Sequence, residues 1–183
     1  MRFLPLFAGL VLASCATPHI GSANEGAASK TEAKVFARLM IVQNGATIPV
    51  GQAQLVDFGD GMRLYINIDK RPENLFGDVG VHIHAIGKCE APDFSSAGPH
   101  WNPSAKQHGK ANPMGHHLGD LGNINVQFGR SIAEMRDISG SRISDLMDED
   151  GASIVIHEKA DDNLTDPSGN SGKRMVCGVF ERP

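Results

Sequence analysis

Residues 81–120 read VHIHAIGKCEAPDFSSAGPHWNPSAKQHGKANPMGHHLGD and hold six of the chain's eight histidines, one of its three cysteines and its single tryptophan. Pro92, Pro99, Pro103 and Pro113 interrupt them, with glycines between, so most of the stretch cannot be regular helix or central strand. A long loop dense in imidazole needs a source of order other than apolar burial. Metal coordination is the simplest one, because ligand bonds replace the core that such a loop lacks. The loop therefore has to hang on a scaffold supplied by the sequence around it.

That scaffold reads as strands. Met62, Leu64, Ile66 and Ile68 alternate with Arg63, Tyr65, Asn67 and Asp69, the period of a strand with one buried face. Gly59-Asp60-Gly61 before them is a tight-turn signature. Further strands are predicted at Val35–Val42, Gln52–Phe58, Val81–Ala85, Asn123–Phe128, Ser131–Asp137, Ser153–His157 and Arg174–Phe180, with Lys70–Gly80 as a connection and a helical turn at Ser144–Met147. No internal repeat and no sustained helical period is present. Eight short strands with turn signals predict an all-β protein, an antiparallel sandwich or barrel.

The first residues carry an export signature: Met1-Arg2, the apolar run Phe3–Leu12, then Ala13 and Ser14 before Cys15. Leu12-Ala13-Ser14-Cys15 is similar to a bacterial lipobox, in which Cys15 is lipidated and becomes the mature N-terminus. The alternative is an ordinary cleavable signal. The run is too short to remain as a membrane-spanning helix. The predicted division is residues 1–14 as signal, 15–33 as a polar flexible tether and 34–183 as the domain. His19 falls in the tether and reads as solvated. With Cys15 lipidated, Cys89 and Cys177 remain in an oxidising compartment, which favours one disulfide over two buried thiols. Formal charge is −4 and no basic patch stands out, which argues against a nucleic-acid partner and leaves recruitment of any anionic substrate to local charge.

His82 and His84 are two apart on a predicted strand, so both imidazoles face one side and can meet one metal. His100, His108, His117 and Asp120 follow, and three imidazoles with a carboxylate suit zinc. An all-imidazole set suits copper, and His157 at the end of a later strand is a further nitrogen. Spacing by itself does not assign each histidine to a metal.

GVHIH, SAGPHWNP, KQHG, HHLGDLGN, VIHEKADD and GKRMVCGV, in this order between Lys34 and Pro183, together resemble the copper,zinc superoxide dismutases, especially their bacterial branch. The resemblance implies an eight-stranded Greek-key sandwich or flattened barrel with long metal-binding and electrostatic loops. It implies copper held by His82, His84, His100 and His157, and zinc held by His100, His108, His117 and Asp120, with His100 bridging the two. It places Asp161 as the carboxylate hydrogen-bonded to one ligand of each metal, pairs Cys89 with Cys177, and makes Arg174 the arginine that positions the anion. The implied reaction is dismutation of superoxide to dioxygen and hydrogen peroxide by alternating reduction and reoxidation of copper. His116 lacks the three-residue spacing to Asp120 and reads as solvated. Ser168 and Gly169-Asn170 resemble the polar wall of the substrate channel, and Lys88, Lys106, Lys110, Lys159 and Lys173 are candidates for steering. Trp101 stands where phenylalanine is usual, as a core residue or part of an interface. By the same resemblance the chain is a periplasmic lipoprotein tethered to the outer membrane, as a monomer or homodimer. A copper store or delivery module on the same sandwich is the competing reading, although storage has no need of Arg174.

Overall fold

The alternation at Met62–Ile68 is realised in β3 (Gly61–Ile68), where Met62, Leu64, Ile66 and Ile68 are buried and Tyr65 and Asn67 are exposed. The computed structural model describes residues 32–183 except 71, 128 and 129. The expectations for the signal, Cys15, His19 and most of the tether therefore lie outside the described residues. Around β3 are β1 (Lys34–Gln43), β2 (Ala46–Phe58), β4 (Gly77–His84), β5 (Asp120–Val126), β6 (Ile132–Ser139), β7 (Ser153–His157) and β8 (Arg174–Glu181), with one helical turn, α1 (Ile143–Leu146).

All eight strands pair antiparallel in the order β5-β4-β7-β8-β1-β2-β3-β6. The chain moves between the halves β1-β2-β3-β6 and β5-β4-β7-β8 at β3 to β4, β5 to β6 and β6 to β7, the crossovers of a Greek key. The free flanks of β5 and β6 approach each other, and Arg136 of β6 donates to the Asn123 carbonyl of β5 at 2.9 Å. The result is a nearly closed barrel, as the pattern predicts. Its interior is filled from both halves by Leu39, Leu55, Leu64, Ile66, Ile83, Ile124, Ile156 and Phe180, all buried. Each such side chain contributes about 1.5–3 kcal/mol. Trp101, 5% exposed, belongs to this core and not to a surface patch.

Three strand starts differ from the sequence reading by three residues or more. β4 begins at Gly77, within the expected connection, because Gly77, Asp78, Val79 and Gly80 pair with Val126, Asn125, Ile124 and Asn123. Two glycines and an aspartate hide that strand, since they carry little β propensity. The same pairing starts β5 at Asp120, three residues before the expected Asn123. β2 begins at Ala46, ahead of Gln52, and accommodates Pro49 where the register with β1 shifts between Leu39 and Met40. Proline is tolerated at such an irregularity because no ladder hydrogen bond is demanded of it.

Candidate metal centre

β4 lies between β5 and β7 and places His82 and His84 on one face. His82 is opposite Val155 of β7, so His157, two residues on, shares that side. In β8 an extra residue, Met175, sets Arg174 opposite His157. His100 is folded back over β4 by backbone bonds, Trp101 N–H to Ile83 O at 2.8 Å and Ala85 N–H to Pro99 O at 2.9 Å. The ligating atoms of His82, His84, His100 and His157 all lie within 4.8 Å of one another, and all four residues are buried.

Each of these rings is held by the nitrogen that faces away from the others. His84 Nδ1 donates to Gly98 O at 2.8 Å and His157 Nδ1 to Gly172 O at 3.2 Å. His82 Nε2 meets Asp161 Oδ2 at 2.8 Å, and His100 Nδ1 meets Asp120 Oδ1 at 2.9 Å. In this set the nitrogens left without a hydrogen-bond partner are His82 Nδ1, His84 Nε2, His100 Nε2 and His157 Nε2. A buried polar atom left unsatisfied costs about 1–3 kcal/mol, so four together demand a ligand. Burial also pushes the four imidazoles down, His100 to about 4 and His157 to about 3, and the neutral ring is the form that binds metal.

A second set converges on the Asp120 carboxylate. Asp120 Oδ1 lies 2.9 Å from His100 Nδ1, 3.0 Å from His108 Nδ1 and 3.1 Å from His117 Nδ1, and the His117 and His100 Nδ1 atoms are 3.4 Å apart. A tetrahedral ion with bonds of about 2.0–2.1 Å keeps its donors at just such separations, a little over 3 Å. A grouping of His82, His100, His108 and Asp120 also falls within 4.8 Å. His82, however, turns its Nε2 to Asp161 and its free Nδ1 to the first set, so His117 completes the second. Asp120 Oδ2 is fixed by the Gly109 and His117 amides at 2.9 and 3.0 Å. His116 is exposed, as expected.

Asp161 joins the two sets. Its Oδ2 meets His82, and its Oδ1 meets His108 Nε2 at 2.9 Å. Burial would raise both Asp120 and Asp161, but hydrogen bonds from their histidines hold them well below the usual carboxylate range. Against the pull of its own burial, His108 is pushed up to about 9 by hydrogen bonds to these same two carboxylates.

Some contributors were not singled out from the sequence. Asn123 clamps the Asp161 backbone, accepting from its N–H at 2.7 Å and donating to its carbonyl at 2.8 Å. Its place in HHLGDLGN was the available signal. Asp166 Oδ1 accepts the His108 amide at 2.6 Å. Gly169, expected on the channel wall, instead lies against the pair Asp161 and His108, where any β-carbon would collide with Asp161 Oδ1 and His108 Nε2. Ser168 does line the cavity, and Asn170 is engaged with Asp162.

The cavity, about 690 Å³, is lined by His84, His100, His157, Lys106, Ser168 and Arg174 among others. Arg174 donates from Nη1 to Phe94 O and Ser95 O at 2.7 and 3.2 Å and from Nη2 to Gly98 O at 2.8 Å. Those carbonyls belong to the loop that the Cys89–Cys177 disulfide fastens to β8. Gly98 has φ 73° and ψ −157°, a conformation open to glycine only. A β-carbon there would come within 2.7–2.8 Å of the Ile86 side chain. Gly98→Ala is therefore expected to displace the carbonyl that orients both His84 and Arg174, weakening metal retention about 10–100-fold, as loss of a ligand-orienting partner does. Competition with a chelator checks it.

Residues 50–180 match the family model described as copper/zinc superoxide dismutase. The superoxide dismutase-like protein YojM of Bacillus subtilis is 39% identical over 157 residues, covering 81% of this chain and 78% of that protein. Superoxide dismutase (Cu-Zn) 1 of Aquifex aeolicus is 38% identical over 140 residues, covering 72% and 80% respectively. The crystal structure of a SOD-like protein from Bacillus subtilis superposes with a TM-score of 0.71 at 37% identity, covering 79% of this chain and 96% of that one.

Proposed function

Because this chain belongs to the copper/zinc superoxide dismutase family, we propose that it dismutes superoxide, with copper held by His82, His84, His100 and His157 and zinc by His100, His108, His117 and Asp120. The observation that carries this reading is the convergence of four buried, unpartnered imidazole nitrogens, three of which belong to residues, His84, His100 and His157, that line a cavity together with Arg174. When bound, copper supplies one-electron redox chemistry, oxidising one superoxide to dioxygen and reducing the next, with two protons, to hydrogen peroxide, while redox-inert zinc supplies fixed charge.

The protein's own part is electrostatic and positional. Arg174 spends part of its guanidinium on loop carbonyls and leaves the rest to draw a small anion toward the histidines. His100 has one nitrogen in each donor set, and its Nε2, buried without a protein partner, is an atom able to hold a proton destined for peroxide. Asp161 and the Gly98 and Gly172 carbonyls keep the ring protons on the outward nitrogens, so that lone pairs point inward.

The test compares dismutation by the copper- and zinc-loaded chain with that by His157→Ala. Rapid dismutation that the substitution abolishes supports the reading. Stoichiometric copper binding with no turnover would favour a binding or delivery module, a reading consistent with a relative that is itself called superoxide dismutase-like.

Of the lysines considered for steering, Lys106 lines the cavity and Lys173 a neighbouring groove. Lys106→Gln is expected to flatten the fall of kcat/KM with ionic strength, since charge-guided encounter is screened over about 10 Å at 0.1 M salt. An unchanged salt slope would exclude it. We propose further that Cys15 carries lipid and tethers the domain in the periplasm at the outer membrane. Labelling with a fatty acid should be lost in Cys15→Ser, and an unlabelled parent protein would end that idea.

A further inference from the structure

The cavity that Lys106 and Arg174 line suits an anion, yet Asp166 lines it too, the one carboxylate to do so among the described residues. A negative charge in that place opposes the attraction that the two cations create. Its contacts supply a compensating role. Asp166 Oδ1 accepts the His108 backbone N–H at 2.6 Å and stands 4.0 Å from His117 Nε2. Both neighbours belong to the second donor set alone. His117 turns Nδ1 inward, 3.1 Å from Asp120 Oδ1, so Nε2 is its outward nitrogen. His82, His84, His108 and His157 each rest their outward nitrogen on Asp161 or on a carbonyl. For His117 that place falls to Asp166.

We propose that Asp166 is a positioning residue for zinc. Its charge favours the His117 tautomer with the proton on Nε2, which leaves the Nδ1 lone pair for the metal, and its Oδ1 fixes the His108 backbone. This rests on the reading above that the second set holds zinc. The segment that presents Asp166 is closed on itself. Asp162 N–H donates to Gly169 O at 2.9 Å and Gly169 N–H to Thr165 O at 2.7 Å. Asp162 Oδ1 accepts the Leu164 and Thr165 amides at 2.9 and 2.8 Å. Ala111 N–H donates to Asn163 O at 2.9 Å, which ties this segment to the loop of His108. A carboxylate on so fixed a frame orients a ring and does not merely follow it. The side chain is 54% exposed and 4.0 Å from the ring nitrogen, a weaker hold than that of Asp161. Its loss therefore falls at the low end of the range for ligand-orienting groups, about 10-fold in metal affinity. Asp166 makes neither hydrogen bond nor ion pair with the four-histidine set, so the loss is confined to zinc.

The experiment is chelator competition on the copper- and zinc-loaded full chain, with each metal read separately, for the parent protein, Asp166→Asn and Asp166→Ala. Asparagine keeps an oxygen for the His108 N–H and removes the charge that faces His117. Circular dichroism verifies that both variants fold. Asp166→Asn is expected to lose about 10-fold in zinc affinity with copper held as in the parent, and Asp166→Ala to lose at least as much zinc. Zinc held by Asp166→Asn as tightly as by the parent would make the residue a backbone cap only and overturn the inference. An equal fall in both metals would mean a displaced loop and overturn it as well. A parent protein that binds no zinc overturns the zinc reading itself, and the inference with it.

Discussion

Replacing Cys89 and Cys177 together by alanine is expected to lower the free energy of unfolding by about 2–5 kcal/mol. The bond spans a sequence separation of 88 residues, and a cross-link that closes a loop of that size strongly restricts the unfolded ensemble. It also holds a small apolar cluster in which Phe94, Ala97, Val155 and Cys177 are buried together, with Cys89 packed against them. The loss reaches the site as well. Phe94, Ser95 and Gly98 supply every carbonyl that holds Arg174, and all three lie in the fastened loop. Denaturant titration of parent and double variant measures the stability change, and a difference below about 1 kcal/mol, within the range of an ordinary surface change, would contradict it. The same variant at full metal content should show a reduced kcat/KM, since its metal ligands are intact while its anion-binding arm is released.

Asp161→Asn is expected to weaken metal retention about 10–100-fold, the usual effect of removing a partner that orients a ligand. The carboxylate accepts from His82 through one oxygen and from His108 through the other. An amide keeps one acceptor and puts a donor in place of the second, so one of the two rings loses its partner and is free to turn. The Asn163 backbone N–H also donates to Asp161 Oδ1 at 2.7 Å, which favours the side-chain oxygen of the new asparagine on the His108 side and puts the defect at His82. Competition with a chelator, read separately for copper and zinc, checks this, with copper expected to fall further. Equal retention by parent and variant would remove Asp161 from the role of orienting ligands.

Most of the residues that the structure gathers into the two candidate donor sets were legible in the chain, because metal binding demands particular side chains at particular intervals. His82 and His84 share a face by the period of a strand, and the spacing of His117 to Asp120 leaves His116 outside. The alternation in Met62–Ile68 reported a buried face for the same kind of reason. What did not show is held by backbone. The Gly98 and Gly172 carbonyls orient His84 and His157, and a carbonyl has no signature in a sequence. Gly77–Gly80 extends β4 through pairing that comes from β5, some forty residues away, which local propensity does not record. Gly169 matters for what it lacks, since the space over Asp161 and His108 closes only in the folded state. Asn123 lay in plain view inside a quoted motif, but its partners are the backbone atoms of Asp161, reachable only once β5 and the loop after β7 are brought together.

Asn123 carries a last consequence. Its carbonyl receives Arg136 across the flank where β5 and β6 meet, and its side chain grips Asp161. One residue is thus both the latch of the barrel and the hinge-pin of the carboxylate that joins the two histidine sets. If the barrel opens where it is weakest, at the flank joined by a side chain and not by a ladder, that opening slackens Asp161 before any strand pair separates. On heating, metal release is therefore expected to run ahead of the loss of β-sheet signal, making metal content a gauge of whether the barrel is shut.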